Sequence, residues 1–211
     1  MSNRDHEAAR RELVSTLRQR LDVSEQTLAA IGAVPRHEFV PAAHRSAAYA
    51  DRPLPIGHGQ TISAPHMVAV MTDLLALGDG DRVLEVGTGC GYHAAVVAEL
   101  VGSETVYSAE YVPELADEAQ ARLTRLGYDV TVRSGDGRTV YRDVAPFDAA
   151  YLTCAPPENI PPQILDQIAS DGCVVAPVGD HGSQRLCRLI RRADGRFDRE
   201  DHGGVRFVPM Q

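Results

Sequence analysis

The sequence contains no lysine and no tryptophan, and all 21 of its basic residues are arginine. The missing ε-amino group excludes Schiff-base chemistry, a pyridoxal-phosphate anchor and the lysine of a phosphate-binding P-loop. No run approaches the roughly eighteen consecutive apolar residues of a membrane span. The opening MSNRDHEAARRE is charged where a secretory signal needs an apolar stretch, so a cytoplasmic protein with no membrane partner is expected. Cysteine is scarce. Cys90, Cys154, Cys173 and Cys187 form neither a CxxC pair nor a Cys/His cluster with zinc spacing, which reads as four free thiols, buried or half-buried, and no metal. Positive charge is also in deficit: 29 acidic residues give a net charge of −8, which opposes binding to nucleic acid or anionic lipid.

What remains is an ordinary globular composition, 44% hydrophobic and 24% charged over 211 residues, long enough to bury a core without disulfides or metal. Leu13, Val14, Leu17 and Leu21 fall at helical spacing, giving a one-faced helix over Glu7 to Leu21. Ser24 is placed to cap a second helix ending near Gly32, and Pro35 to His58 reads as irregular cover. A helix is expected from Ala64 to about Leu77. Beyond it strands and helices alternate: strands at Arg82–Val86, Thr105–Ala109, Val130–Ser134, Asp148–Thr153 and Cys173–Val178, with helices at Gly91–Val101, Val112–Leu126 and Ile160–Ala169. That alternation predicts an α/β fold with a doubly wound, mostly parallel sheet. Arg185–Ile190 and Gly204–Val208, separated by the polar turn Ala193-Asp194-Gly195, are expected to add an antiparallel edge.

Glu85-Val86-Gly87-Thr88-Gly89-Cys90-Gly91 joins the first central strand to its helix, where glycines let backbone approach a ligand and the helix start offers unpaired N–H groups. A dinucleotide fingerprint needs a glycine three residues after its second, and Tyr92 stands there instead. The third glycine, Gly91, comes two residues on. This disfavours a nicotinamide cofactor and fits a nucleoside without a pyrophosphate. Glu110, nineteen residues after Gly91 at the end of the second strand, can accept bonds from ribose hydroxyls. Asp136, in Gly135-Asp136-Gly137 after the third strand, can accept from an adenine amino group. Each carboxylate alone reads as a loop or cap residue; together they draw a ligand-sized line across the sheet edge, and S-adenosylmethionine is the leading candidate.

The segments Val83 to Tyr92, Gly59 to Met67, Val34 to Pro41, Gly135 to Arg138 and Gly203 to Pro209 closely resemble the protein-L-isoaspartate O-methyltransferase family, in the same order over nearly the whole chain. The resemblance implies methylation of the α-carboxylate of L-isoaspartyl residues in damaged proteins and peptides, leading through a succinimide back to L-aspartyl. It implies a small N-terminal helical segment over residues 1–58 and an S-adenosylmethionine-dependent, Rossmann-like methyltransferase domain over 59–211, packed as one compact unit and expected as a monomer. S-adenosyl-L-homocysteine would be the product. Ser63 would lie at the active site, Ile62 and His66 would line the cofactor pocket, and Glu110, Asp136 and Gly137 would hold the nucleoside. Glu85, Gly87, Thr88, Gly89 and Gly91 belong to the cofactor turn. Two departures stand out: Thr153 to Pro161 is more polar and about one residue longer than the usual turn, and the chain stops just past Pro209.

A carboxylate acceptor with a pKa of roughly 3.5 is already ionised, so its methylation needs alignment and no general base. Ser63 suits that task as a hydroxyl donor to one carboxylate oxygen, with Thr61 as its neighbour. Ser63-Ala64-Pro65 reads equally as a helix start with serine as N-cap. On its own, His66 reads as a packed core residue. Arg206 is a candidate partner for the substrate carboxylate or for a strand-face ion pair, and the backbone of Val205, Arg206 and Phe207 could take the substrate peptide as an added strand. The alternatives are an enzyme dedicated to one peptide and a non-catalytic S-adenosylmethionine-binding module.

Overall fold

A computed structural model describes residues 3–180 and 182–211. The chain begins with α1 (Asn3–Arg20) and α2 (Glu25–Ala33), followed by two short 3₁₀ turns, Arg36–Glu38 and Ala42–Ala47. Ser24 caps α2, its hydroxyl accepting the Thr27 N–H at 3.2 Å. The segment 35–58 is less irregular than its proline content suggests. Besides the 3₁₀ turns it contains β1 (Leu54–Gly57), which pairs antiparallel with β2 (Gln60–Ile62). The boundary expected between 58 and 59 therefore falls inside a hairpin, and Leu13 and Leu17 of α1 share one apolar cluster with Val83 and Val175 of the sheet.

The sheet comprises β3 (Val83–Val86), β4 (Val106–Glu110), β5 (Thr131–Ser134), β6 (Phe147–Leu152), β7 (Ile168–Val178), β8 (Gln184–Arg191) and β9 (Phe197–Val205), in spatial order β5-β4-β3-β6-β7-β8-β9. The first five of that order run parallel, while β8 and β9 add the antiparallel edge that the sequence foretells. Helices α3 (Pro65–Leu74), α4 (Tyr92–Val101) and α5 (Pro113–Arg125) complete the crossovers, with a short α6 (Pro162–Leu165). β3 is buried along its whole length, as a central parallel strand must be when both faces are covered. The direction of winding reverses at β3, leaving β4 on one side and β6 on the other. Such a switch point opens a crevice at the strands' carboxyl ends.

Two expectations give way. The helix expected over 160–169 ends at Leu165, because Ile168 already pairs with Phe147 and opens β7. Ile164 and Ile168 sit four apart and are both fully buried, so strand and turn together imitate helical spacing. The last strand runs over Phe197–Val205, displaced toward the N-terminus from the expected Gly204–Val208. Its Asp198 to His202 stretch is exposed at every position and carries no hydrophobic alternation; ladder bonds to β8 define it. All four cysteines are free, with Cys90, Cys173 and Cys187 buried and Cys154 half-buried.

Candidate cofactor and acceptor site

A cleft of roughly 870 Å³, counting its open mouth, lies over the carboxyl ends of β3, β4 and β5. Its glycine turn is enforced by geometry. Gly87 has φ +101°, and a Cβ there would stand 2.3 Å from Thr153 Oγ1; a Cβ on Gly137 would meet Val86 at 2.5 Å. The Gly87 and Thr88 N–H groups donate to the Ala109 carbonyl at 2.8 and 3.2 Å, locking the turn to β4.

Glu110 is buried at the end of β4. Its two carboxylate oxygens accept the Gly89 N–H at 2.8 Å and the Val112 N–H at 3.0 Å, leaving lone pairs on both. Asp136 faces the same cleft and accepts the Arg138 backbone N–H at 2.9 Å and its Nε–H at 2.8 Å. The guanidinium holds Asp136 below the usual carboxylate range, so it is ionised at neutral pH. Glu85 behaves oppositely. It lies fully buried beneath the turn, where desolvation pushes its pKa up to about 8 despite a hydrogen bond from Ser108. It is therefore protonated at neutral pH. The Ser108 hydroxyl donates to one Glu85 oxygen and lies 2.5 Å from Thr88 Oγ1, while Glu85 Oε1 has no partner among the described residues.

The opposite wall comes from β2 and its exit. Gln60, Thr61, Ile62 and Ser63 line the cleft, with Thr153 and Cys154 beyond β6 and Val208 to Gln211 of the tail. The tail is pinned there: Ala155 donates to the Val208 carbonyl at 2.8 Å, and Met210 donates to the Ala155 carbonyl at 2.8 Å. Burial pushes the Cys154 thiol up to about 12, so it presents no thiolate to compete for an electrophile. The N-cap of α3 is Ala64, which makes no side-chain cap bond, so Ser63 does not fill the capping role its sequence position suggests.

The structure thus gathers Thr61, Ile62, Ser63, Glu85, Gly87, Thr88, Gly89, Glu110, Asp136 and Gly137 around one cleft. Others expected in the site lie outside its lining. Gly91, at φ +85°, is the N-cap of α4 and packs against Leu123. His66 stands on α3 with Nδ1 2.8 Å from Asp51 Oδ1. Val205 ends β9, and Arg206 is exposed with no ion pair among the described residues. The Phe207 backbone is already engaged, its N–H donating to Gln184 Oε1 at 2.6 Å and its carbonyl accepting from Gln184 Nε2 at 3.1 Å. Sequence reasoning gave no site role to Tyr92, His93, Tyr111 or Val208 to Gln211, and marked Thr153 only as the start of a turn that departs from the family pattern at the pocket floor. Tyr111 and Thr153 follow strands β4 and β6, so the carboxyl-edge rule could have found them. The tail gives no local signal, because its position depends on Ala155.

A doubly wound sheet whose carboxyl edge offers a glycine turn and two carboxylates to one cleft defines the class of S-adenosylmethionine-dependent methyltransferases. Within that class, the family model described as protein-L-isoaspartate(D-aspartate) O-methyltransferase matches residues 8–211, and the chain belongs to that family. It is 51% identical over 209 residues to protein-L-isoaspartate O-methyltransferase 2 of Archaeoglobus fulgidus, covering 98% of this chain and 94% of the relative. Among solved structures, a protein-L-isoaspartate O-methyltransferase superposes with a TM-score of 0.87 at 27% identity, over 96% of this chain and 66% of the other. A Plasmodium falciparum structure described as a putative protein-L-isoaspartate O-methyltransferase, in complex with S-adenosyl-L-homocysteine, shares the fold with a TM-score of 0.82 at 23% identity, over 96% of this chain and 98% of that one.

Proposed function

We propose that this chain is a repair enzyme, a protein-L-isoaspartate carboxyl O-methyltransferase that transfers a methyl group from S-adenosylmethionine to the α-carboxylate of L-isoaspartyl residues in damaged proteins and peptides. The methyl ester then closes to a succinimide that opens in part to L-aspartyl. The observation that carries the reading is the pairing, in one cleft, of a nucleoside cradle with a serine released from helix capping.

The cradle suits the cofactor by its own geometry: a glycine position that a Cβ would fill, and two carboxylates that face the cleft. Glu110 would accept from the ribose hydroxyls and Asp136 from the adenine amino group. Bound S-adenosylmethionine supplies a methyl on a cationic sulfonium. In the transfer a carboxylate O–CH₃ bond forms as the S–CH₃ bond breaks, and no proton moves. The protein's own work is alignment, worth up to roughly 7–11 kcal/mol in well-oriented systems, and exclusion of water. Ser63 donates its hydroxyl to one carboxylate oxygen and leaves the other directed at the methyl, with Thr61 beside it. Neutral Glu85 keeps a third negative charge out of the cleft floor. In this reading the enzyme acts in the cytoplasm as a monomer on protein substrates, and the N-terminal helical segment, residues 1–58, covers the acceptor wall of a single compact unit. Among the described residues no helix is long and apolar enough to cross a membrane.

The test is transfer of labelled methyl from S-adenosylmethionine to a synthetic isoaspartyl peptide and its aspartyl twin. Base-labile label on the isoaspartyl peptide alone is expected. Label on neither, with S-adenosylhomocysteine binding intact by calorimetry, would sink general repair and leave an enzyme dedicated to one partner.

A further inference from the structure

The N-terminus of α3 needs an acceptor for the His66 N–H, the second residue of the helix. Asp51, fourteen residues before α3 begins, provides it: Oδ1 accepts that N–H at 2.9 Å and lies 2.8 Å from His66 Nδ1. The other free amide, on Met67, donates to the Ala64 carbonyl at 3.0 Å, and Pro65 has none. The helix is thus capped from a distance, and the Ser63 hydroxyl has no partner among the described residues. The carbonyl of the same serine is held from the other side. Arg36, 0% exposed, donates from Nη2 to Ser63 O at 2.8 Å and from Nε to Ala48 O at 2.8 Å. Its guanidinium also lies 4.8 Å from the ring centroid of Tyr92, the first residue of the helix that follows the glycine turn. Among the described residues no carboxylate makes an ion pair with this buried cation, which feels the charge of Asp51 only from a distance, and its Nη1 is unpartnered. Burying an unpaired guanidinium is costly, and a packing role alone would be met by an apolar side chain.

We infer that Asp51 and Arg36 are positioning residues for methyl transfer. They fix the Ser63–His66 turn at both ends, and Arg36 ties it to the cofactor turn through Tyr92. The inference rests on the acceptor-orienting role proposed above for Ser63. Asp51 substitutes for the local cap, so the serine hydroxyl stays directed to the substrate and is not recruited to the helix. Arg36 sets the distance between the acceptor wall and the nucleoside wall.

The test is a double-mutant cycle on the full chain, with kcat, peptide KM, S-adenosylhomocysteine Kd and the melting curve read for each variant. Asp51→Ala should lower kcat about tenfold or more, since small misplacements of reacting groups are expensive, while leaving the S-adenosylhomocysteine Kd within about twofold. Asp51→Asn, which still offers an oxygen to the His66 N–H, should restore most of the rate. In the Ser63→Ala background Asp51→Ala should cost little more, because residues acting through one group are not additive. Arg36→Lys should follow Asp51→Ala, and Asp51 carries the test should Arg36 variants fail to fold. Full additivity of Asp51→Ala and Ser63→Ala would overturn the positioning role while leaving Ser63 in place. An unchanged rate in Ser63→Ala alone would instead remove the serine's role on which the inference stands. A loss in Asp51→Ala that Asp51→Asn does not restore, or that appears equally in the cofactor Kd, would also overturn it.

Discussion

On the nucleoside side of the cleft each polar group sits at the carboxyl end of β3, β4 or β5, within one stretch from Glu85 to Gly137. The acceptor side is assembled from segments far apart in the chain: Gln60 to Ser63, Thr153 with Cys154, and Val208 to Gln211, held by Arg36, Asp51 and Gln184. The first wall is made by strand ends and glycine backbone, so its shape is set once the parallel sheet forms. The second depends on side-chain bonds between remote segments. The difference separates two kinds of failure. Damage to the first wall should appear as lost cofactor affinity, and damage to the second as lost turnover or peptide affinity.

The most severe way to break this contrast is Gly87→Ala. The new methyl would stand 2.3 Å from Thr153 Oγ1 on a backbone at φ +101°, where an L side chain is strained. At about 1–3 kcal/mol for the strain alone, with the clash added, S-adenosylhomocysteine affinity should fall about a hundredfold or more and the melting temperature with it. Calorimetry and a thermal melt read both; a near-native Kd would show that the cradle is looser than its geometry. Glu110→Ala comes next. It removes the acceptor for two backbone amides as well as the proposed ribose partner, so Kd should weaken about 10- to 100-fold, the worth of a charged hydrogen bond. Glu110→Gln should fall between. A larger loss of kcat than of affinity would place Glu110 outside the ribose role.

Across the cleft, Ser63→Ala should reverse that signature. We expect kcat to drop about tenfold or more while the S-adenosylhomocysteine Kd stays within about twofold, as for an interaction made chiefly in the transition state. An unaltered kcat would remove Ser63 from the acceptor-orienting role and leave Thr61 and Gln60 as the side-chain donors of β2 on this wall.

The contrast also governs what the sequence discloses. β3 announces itself as a short apolar run closed by glycines, and Glu110 and Asp136 fall at the end of β4 and just past β5 by counting residues alone. On the acceptor side, local spacing misleads. Ser63-Ala64-Pro65 has the form of a serine-capped helix start, yet the cap comes from Asp51, and no periodicity links the two. His66 turns to that same aspartate, and so lies outside the lining expected for it. The bounds of β9 are hidden for a different reason. Asp198 to His202 is polar and solvent-exposed, so it lacks the alternation that marks a half-buried strand. Pairing with β8 creates it, and pairing cannot be read from one segment.

The floor beneath the nucleoside wall should leave its own mark on stability. The folded chain keeps Glu85 protonated up to about pH 8 and His93 neutral down to about pH 3, against ordinary values of 4.5 and 6.5. Burial is the main cause of both shifts. Between pH 4.5 and 6.5 the folded and unfolded chains hold equal numbers of protons on this pair, and its contribution is flat. Above about 6.5 the folded chain holds one more, so stability falls as pH rises toward 8, by about 1.4 kcal/mol per unit. Below about 4.5 the unfolded chain holds one more, and stability falls as pH drops. Glu85→Gln should flatten the alkaline limb in a series of melts and extend the acid limb up to about pH 6.5, because only the His93 proton count then differs between the folded and unfolded chains. Identical alkaline limbs in both proteins would mean that Glu85 ionises normally.

The smallest effect concerns two adjacent residues of β8, and it sharpens the contrast furthest. Arg185 pairs with Asp201 across the exposed hairpin at 2.5 Å. An exposed ion pair gains little over its hydrated partners, and the β8–β9 ladder is made by backbone bonds that Arg185→Ala leaves untouched. That variant should match the parent in kcat, peptide KM and cofactor Kd, with a melting temperature within about two degrees. Gln184, beside it in sequence, is buried and grips both backbone groups of Phe207, immediately before the tail that lines the cleft. Gln184→Ala frees two half-buried backbone groups and loosens Val208 to Gln211, so peptide KM should rise about three- to tenfold with the cofactor Kd nearly unchanged. The comparison turns on peptide KM across the two variants: equal values would mean that the tail is held by its bonds to Ala155 alone and that the acceptor wall does not extend to β8.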